Sequence, residues 1–193
     1  MVRTASFDRD DLVTRARDLF WRQGWAGTSL KDLELTLGVR PGSFYAAFGS
    51  KDALYAETLD IYAADGAKRL DGLAKENGPL GTLKAHVLSF AGSRPFGAAH
   101  ACMLVKTLLE VQGRQGDLAK QASRLLEEME IRFAALFSAA QIAGDVAKHH
   151  DPARLARRYQ SDLIGLRASA ERPDVDAAEL AREIAAGLDA LQN

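Results

Sequence analysis

The chain has 193 residues, of which 47% are hydrophobic and 26% are charged, and its formal net charge is −1. These values are typical of a folded globular protein with one or two domains, and they exclude a polycation that grips nucleic acid through bulk charge. No run of about 18 apolar residues is present to cross a membrane, and the first ten residues lack the apolar stretch of a secretory signal. The single cysteine, Cys102, excludes an internal disulfide framework, so we expect a cytoplasmic protein.

The whole chain has the pattern of α-helices. Alanine, leucine, glutamate and arginine dominate, and apolar residues recur at i, i+3 and i+4 without sustained alternation. We predict a first helix over residues 9–22 that Gly24 ends. A second helix begins after Thr28 or Ser29 as its N-cap and stops at Gly38, since glycine adopts the left-handed backbone of a helix end without steric cost.

The third predicted helix is short and begins at Pro41, whose missing N–H costs nothing in the first helical turn. Phe44 and Phe48 are four residues apart and should face a small core, which leaves Ser43 and Tyr45 on the outer side. Ser50 caps a long fourth helix from Lys51, and the Gly-Pro pair at 78–79 is the clearest break in the chain.

Beyond this break we predict helices near 80–92, 98–112 and 117–143. Asp151 caps a further helix over 152–171, and Asp176 opens the last one. Leu180, Ile184, Leu188 and Leu191 form one apolar seam along that last helix. We therefore expect an all-α protein of about nine helices, in which a three-helix helix-turn-helix domain (1–50) is joined through the fourth helix to a larger helical bundle (51–193).

The spacing of short motifs between residues 8 and 62 resembles the TetR family of one-component transcriptional regulators. The matching positions are Leu19-Phe20, Gly24-Trp25, Gly27-Thr28-Ser29, Leu33, Gly38-Val39, Gly42-Ser43-Phe44-Tyr45, Phe48, Ser50-Lys51 and Leu54. The resemblance implies a homodimeric repressor that binds a palindromic DNA operator and is released by a small-molecule effector. It also implies that the last two helices pair with their two-fold mates, while nothing in the chain suggests a membrane partner.

Candidate DNA contacts lie at the starts of the second, third and fourth helices: Thr28, Ser29, Lys31, Arg40, Gly42, Ser43, Tyr45 and Lys51. Arg40 can offer a bidentate fork to guanine or phosphate, while Ser43 and Tyr45 supply hydroxyls. Gly42 lets the backbone approach DNA closely, and Lys51 adds its charge to a helix N-terminus. The resemblance implies that Thr28, Ser29 and Lys31 contact the DNA backbone. The alternatives are a core position for Tyr45, solvated charges at Arg40 and Lys31, and simple capping by Thr28 or Ser29.

Candidate effector contacts lie on the bundle helices that line the cavity in related proteins. They are Tyr62, His86, Phe90, His100, Cys102, Met103, Thr107, Phe133 and Phe137. Lys106 and Glu110 are further polar candidates for orienting an effector. Most of the apolar members should be ordinary core, and the pattern alone does not say which ones line a pocket.

Two alternative functions remain open at this stage. Some family members carry a cysteine in a similar context that responds to electrophiles or oxidants, so Cys102 on a predicted helix could be a sensor if a cation such as Lys106 stabilises its thiolate. Otherwise it is a small hydrophobe. The near balance of eight basic and seven acidic residues in 1–55 also allows a helical interaction module that binds no DNA.

We expect no enzymatic activity, metal or cofactor. His100, two residues before Cys102, would point to nearly the opposite side of a helix, so the two do not form a nucleophile–base pair. The adjacent His149 and His150 cannot chelate one metal from one helix face. The chain also has no glycine-rich phosphate loop.

Overall fold

The structure is a computed structural model and describes residues 9–91, 101–111 and 116–192. Within these ranges the chain forms nine α-helices, a closing 3-10 turn and no β-strand, which confirms the all-α prediction. The helices are α1 (Arg9–Gly27), α2 (Leu30–Leu37), α3 (Pro41–Phe48), α4 (Lys51–Ala74), α5 (Pro79–Leu88), α6 (Met103–Val111), α7 (Gly116–Ala143), α8 (Pro152–Ser169) and α9 (Ala177–Asp189). No helix in these ranges combines the length and apolar character that a bilayer span requires.

Local signals determine where the N-terminal helices begin and end. Gly24 has φ 81° and ψ 170°, so regular helix geometry stops there although helical hydrogen bonding resumes up to Gly27. Ser29 and Asp32 form a capping box at the start of α2, and Gly38 ends that helix with φ 68°. Pro41 opens α3 as predicted.

Two predicted helices of the bundle are shorter in the structure. α5 ends at Leu88 rather than near residue 92, because the amides of Ser89, Phe90 and Ala91 each bond a carbonyl three residues back. α6 begins at Met103, and the predicted start at 98 lies outside the described residues. Cys102 was predicted to lie on this helix, but in the structure it precedes the helix. Its carbonyl accepts the amide of Lys106 at 2.9 Å, which makes it the residue before the first turn of α6.

The buried apolar side chains form two clusters. The first joins α1–α4 to α6 and the beginning of α7, and it contains Phe20, Phe44 and Tyr55. The second joins the end of α4 to α5, α7, α8 and α9, around Phe133 and Tyr159. The first cluster continues past residue 50, so α6 and α7 help to hold the three N-terminal helices in place.

Candidate functional site

Helix α3 has one buried face and one exposed face. Phe44 is fully buried and Phe48 is 5% exposed, and both belong to the first apolar cluster. Tyr45 is 49% exposed, and its ring meets Phe44 edge-on with 5.6 Å between centroids. Gly42 and Ser43 are also exposed. Phe44 and Phe48 therefore anchor an eight-residue helix that could not be stable alone, while the outer face of the helix stays open to a partner.

The start of α3 is suited to an anion. Arg40 is the exposed N-cap residue, and its side chain makes no capping hydrogen bond to α3. The N-terminal amides of a helix carry partial positive charge and attract phosphate when they are accessible. Arg40 and the start of α3 thus lie together on the surface.

The three candidates near the start of α2 have different environments. Thr28 was predicted to contact DNA, but it is 1% exposed and its hydroxyl donates to the Gly24 carbonyl at 2.7 Å. Its side chain closes the turn after the α1 kink and is not available to DNA. Ser29 is exposed, and its hydroxyl caps α2 by accepting the amide of Asp32 at 3.2 Å. Lys31 is exposed on the first turn of α2.

Lys51 lies half-buried at the start of α4. Its Nζ lies 4.6 Å from the centroid of the Trp25 ring, a cation–π contact. The indole N–H of Trp25 donates to Asp52 at 2.7 Å, which fixes the ring. Burial lowers the pKa of Lys51, and the carboxylates of Asp52 and Glu110 oppose that shift. The aromatic platform therefore holds this cation in one place beside the N-terminus of α4.

The family model described as "Bacterial regulatory proteins, tetR family" matches residues 12–58, which include all of this surface. A solved complex extends the similarity to nearly the whole chain: a cysteine mutant of the TetR family transcriptional regulator CifR bound to 26-bp operator DNA. It is 29% identical, with a TM-score of 0.84, over 97% of this chain and 99% of that one. This protein belongs to the TetR family.

Two curated relatives agree with this assignment. The HTH-type transcriptional repressor BdcR of Escherichia coli K12 is 29% identical over 62% of this chain and 61% of its own length. The HTH-type transcriptional repressor ComR of the same strain is 25% identical over 85% of this chain and 80% of its own. The match to BdcR thus spans less than two thirds of that repressor, whereas the match to ComR includes most of both proteins.

The bundle of this TetR-family protein contains a cavity of about 210 Å³, with lining residues in or beside α1, α4, α5, α6, α7 and α8. Five of the nine predicted effector contacts line it, namely Tyr62, His86, Phe90, Cys102 and Phe133. His100 lies outside the described residues.

Three predicted effector contacts lie elsewhere. Met103 is 1% exposed in the first apolar cluster, and Phe137 is fully buried in the second. Thr107 is fully buried and its hydroxyl bonds the Tyr55 hydroxyl and the Met103 carbonyl, both at 2.8 Å. These side chains are part of the packing between helices and do not border the cavity.

Arg167 on α8 lines the cavity and was missed by the sequence analysis. Its guanidinium donates to the Tyr62 hydroxyl at 2.7 Å and lies 4.9 Å from the Phe90 ring centroid. Burial opposes its charge, but Tyr62, Cys102 and Glu171 more than compensate, so its pKa is raised. One sequence signal existed: Arg167 follows Leu163 by four residues, so a cation falls on the apolar stripe of α8.

Lys106 and Glu110 contact α1 instead of an effector. Lys106 Nζ donates to the Trp21 carbonyl at 2.7 Å and to the Arg22 carbonyl at 3.4 Å. Glu110 Oε2 accepts the amides of Trp25 at 2.7 Å and Ala26 at 3.3 Å. We call these four hydrogen bonds the α6–α1 junction. They connect α6, whose first turn borders the cavity, to the end of α1.

Proposed function

We propose that this protein is a homodimeric repressor whose α2–α3 unit binds a palindromic operator and whose cavity takes the effector that releases it. The observation that carries this proposal is the divided surface of α3, in which Phe44 and Phe48 are buried while Arg40 and Tyr45 are exposed. Two such units about 34 Å apart would enter successive major grooves on one side of DNA. Residues 1–50 would form the DNA-binding domain and 51–193 the regulatory domain.

The first test is the operator itself. Genomic fragments selected by the purified protein should share a palindrome, and their binding should weaken as salt rises, because phosphate contacts release counterions. A protein that selects no fragment at low salt would instead be a helical interaction module, the alternative left open by the nearly neutral N-terminal region.

Arg40→Ala is expected to weaken operator binding by about 1 to 3 kcal/mol, or roughly 5- to 150-fold, because it removes a bidentate donor from the start of α3. Mobility-shift titration measures the change, with circular dichroism to show that the helices persist. The matched control is Arg154→Ala, which removes an exposed arginine from α8 on the regulatory domain. Equal affinity of the Arg40 variant and the wild type would remove this residue from the interface.

A surface groove between α8 and α9 supports the dimer. Leu155, Leu180, Ile184 and Leu191 line it and remain partly exposed. These four side chains include most of the seam predicted along the last helix. Apolar side chains on neighbouring helices are the usual content of an isologous helical interface.

Ile184→Asp is expected to shift the protein from dimer to monomer, since an isolated carboxylate buried in an apolar interface costs several kcal/mol. Sedimentation velocity at micromolar concentration measures the change. Ala186→Asp adds the same charge at an exposed position on α9 that does not line the groove, and it should remain dimeric. If Ile184→Asp and Ala186→Asp both keep the wild-type sedimentation coefficient, the dimer interface lies elsewhere.

The α6–α1 junction supplies a route from effector to DNA. Cys102 borders the cavity immediately before α6, and Glu110 lies near the other end of the same helix. An effector that displaces the first turn of α6 would act on α1 through Lys106 and Glu110. An effector that binds the displaced state about 1 to 3 kcal/mol more favourably than the undisplaced state changes operator affinity about 5- to 150-fold.

A further inference from the structure

Arg167 and His86 give the cavity a distinct chemistry. Arg167 contributes a permanent positive charge and planar N–H donors, while His86 is only 5% exposed. The two side chains pack on the same ring: the Phe90 centroid lies 4.9 Å from the Arg167 guanidinium carbon and 5.1 Å from the His86 ring centroid. A single small molecule beside Phe90 can therefore contact both.

The charges of the lining favour an anion. Among the described residues, Arg17, Arg69 and Arg167 line the cavity together with one acidic residue, Asp65, and that carboxylate is bound by Arg17. Glu171 contributes negative charge near Arg167 from one turn further along the chain, but it is exposed and accepts the Ala101 amide at 2.8 Å. Arg17 also binds Asp18 at 2.8 Å, so its charge is already matched, and Arg69 and Arg167 supply the positive charge that the described lining presents to a ligand. A guanidinium matches a carboxylate in both charge and geometry.

His86 presents an acceptor. The Tyr159 hydroxyl donates its proton to the Leu83 carbonyl at 2.8 Å, so at the 3.0 Å contact with His86 it can only accept. The imidazole proton is therefore on Nδ1, and Nε2 carries the lone pair. Burial, and then the charges of Arg69 and Arg167, lower the pKa of His86 to about 4, so the ring is neutral near pH 7. Within the described residues Nε2 has no hydrogen-bond partner, and His86 lines the cavity.

The remaining walls suit a flat apolar body. Trp21, Phe90 and Phe133 contribute rings, and Leu125, Met129 and Leu163 contribute flexible apolar groups. An apolar cavity of about 150 Å³ is known to hold benzene, so the 210 Å³ here accommodates one ring with small substituents.

We infer that the effector is a small aromatic carboxylic acid that also carries a hydroxyl or N–H donor, with its carboxylate at Arg167 and its donor at His86 Nε2. This inference rests on the proposed function, which makes the cavity the effector site. The carboxylate binds the guanidinium of Arg167, and the aromatic ring lies against Phe90 and Phe133. The hydroxyl or N–H donor bonds Nε2 of His86, which has no hydrogen-bond partner within the described residues.

Isothermal titration of the purified full-length protein with 2-, 3- and 4-hydroxybenzoate, benzoate and the three hydroxybenzamides tests this inference without DNA. At least one hydroxybenzoate should bind, at least tenfold more tightly than benzoate and than its own amide. Arg167→Gln should weaken that hydroxybenzoate at least tenfold and leave its amide unchanged. His86→Phe should abolish the preference over benzoate. Arg154→Gln, at an exposed position of the same helix that lines neither the cavity nor the α8–α9 groove, should change nothing.

The results separate this inference from the proposed function. Binding of hydroxybenzamides as tight as that of the acids would overturn the inference, and the wild-type comparison needs no variant to fold. Operator binding without any response to the ring acids up to millimolar concentration would overturn the effector class and leave the repressor proposal intact. Binding of a hydroxybenzoate by a protein that selects no DNA would support the ligand class and defeat the repressor proposal.

Discussion

Gly24→Ala is expected to destabilise the folded protein by about 4 kcal/mol, because two separate costs coincide at this residue. The backbone at φ 81° and ψ 170° lies in a region that is essentially restricted to glycine, and strain of this kind costs about 1 to 3 kcal/mol. An alanine Cβ would also lie 2.1 Å from Glu110 Oε1, so the carboxylate has to move. That movement breaks its bonds to the Trp25 and Ala26 amides, and hydrogen bonds to a charged group contribute about 1.5 to 3 kcal/mol.

A double-mutant cycle measured by urea unfolding isolates the second cost. Glu110→Ala should cost about 2 kcal/mol in the wild-type background and under about 0.5 kcal/mol in the Gly24→Ala background, since the bonds are already lost there. Gly72→Ala serves as the control, because this helical glycine in α4 has open space around a Cβ and should gain about 0.5 to 1 kcal/mol. Additive effects of the Gly24 and Glu110 changes would mean that the α6–α1 junction does not depend on this glycine.

The Glu110→Ala variant also tests whether the α6–α1 junction links the two proposed domains. If Glu110 holds the end of α1 to α6, its loss should leave the DNA-binding surface intact but free the domain from the bundle. Operator affinity of the Glu110→Ala dimer should then fall and respond less to effector. An effector response of wild-type size in this variant would place the coupling in other contacts.

The helices were predictable because their signals are local. Ser50, Asp151 and Asp176 cap the helices that the sequence assigned to them, and Ser29 caps α2 as one of the two candidates. Each cap depends on residues within three positions. The boundary error at α6 has a local cause too. The amphipathic pattern continues through Cys102, and periodicity does not say where the first helical hydrogen bond forms.

The site was predictable only where a single helix defines it. Phe44 and Tyr45 could be assigned to opposite faces of α3 from their spacing alone. Arg167 could not be assigned to the cavity, since its environment depends on Tyr62 from α4 and on Phe90 after α5, more than 70 residues away in sequence. Glu110 was expected to face an effector for the same reason: its actual partners, the amides of Trp25 and Ala26, lie 85 and 84 residues earlier in the chain.

His86 is expected to make the folded protein sensitive to mild acid. Burial is the main reason that its pKa is lowered from 6.5 to about 4, and the positive charges of Arg69 and Arg167 add to the effect. As pH falls below 6.5, the unfolded chain takes up a proton on this histidine before the folded protein does. The contribution to stability is therefore complete above pH 6.5 and is lost progressively down to pH 4, by about 3 kcal/mol in all.

Urea unfolding at pH 7, 6 and 5 measures this contribution when the wild type is compared with His86→Phe. Phenylalanine keeps a ring against Phe90 and Phe133 and leaves the Tyr159 hydroxyl bonded to the Leu83 carbonyl, so the variant loses the titrating group with little change in packing. Between pH 7 and pH 5 the wild type should lose about 2 kcal/mol more than the variant. Parallel stability curves would show that the imidazole is protonated equally in the folded and unfolded states. The pKa of His86 would then stay near 6.5, and its Nε2 would lose the lone pair that accepts a ligand donor as pH falls below that value.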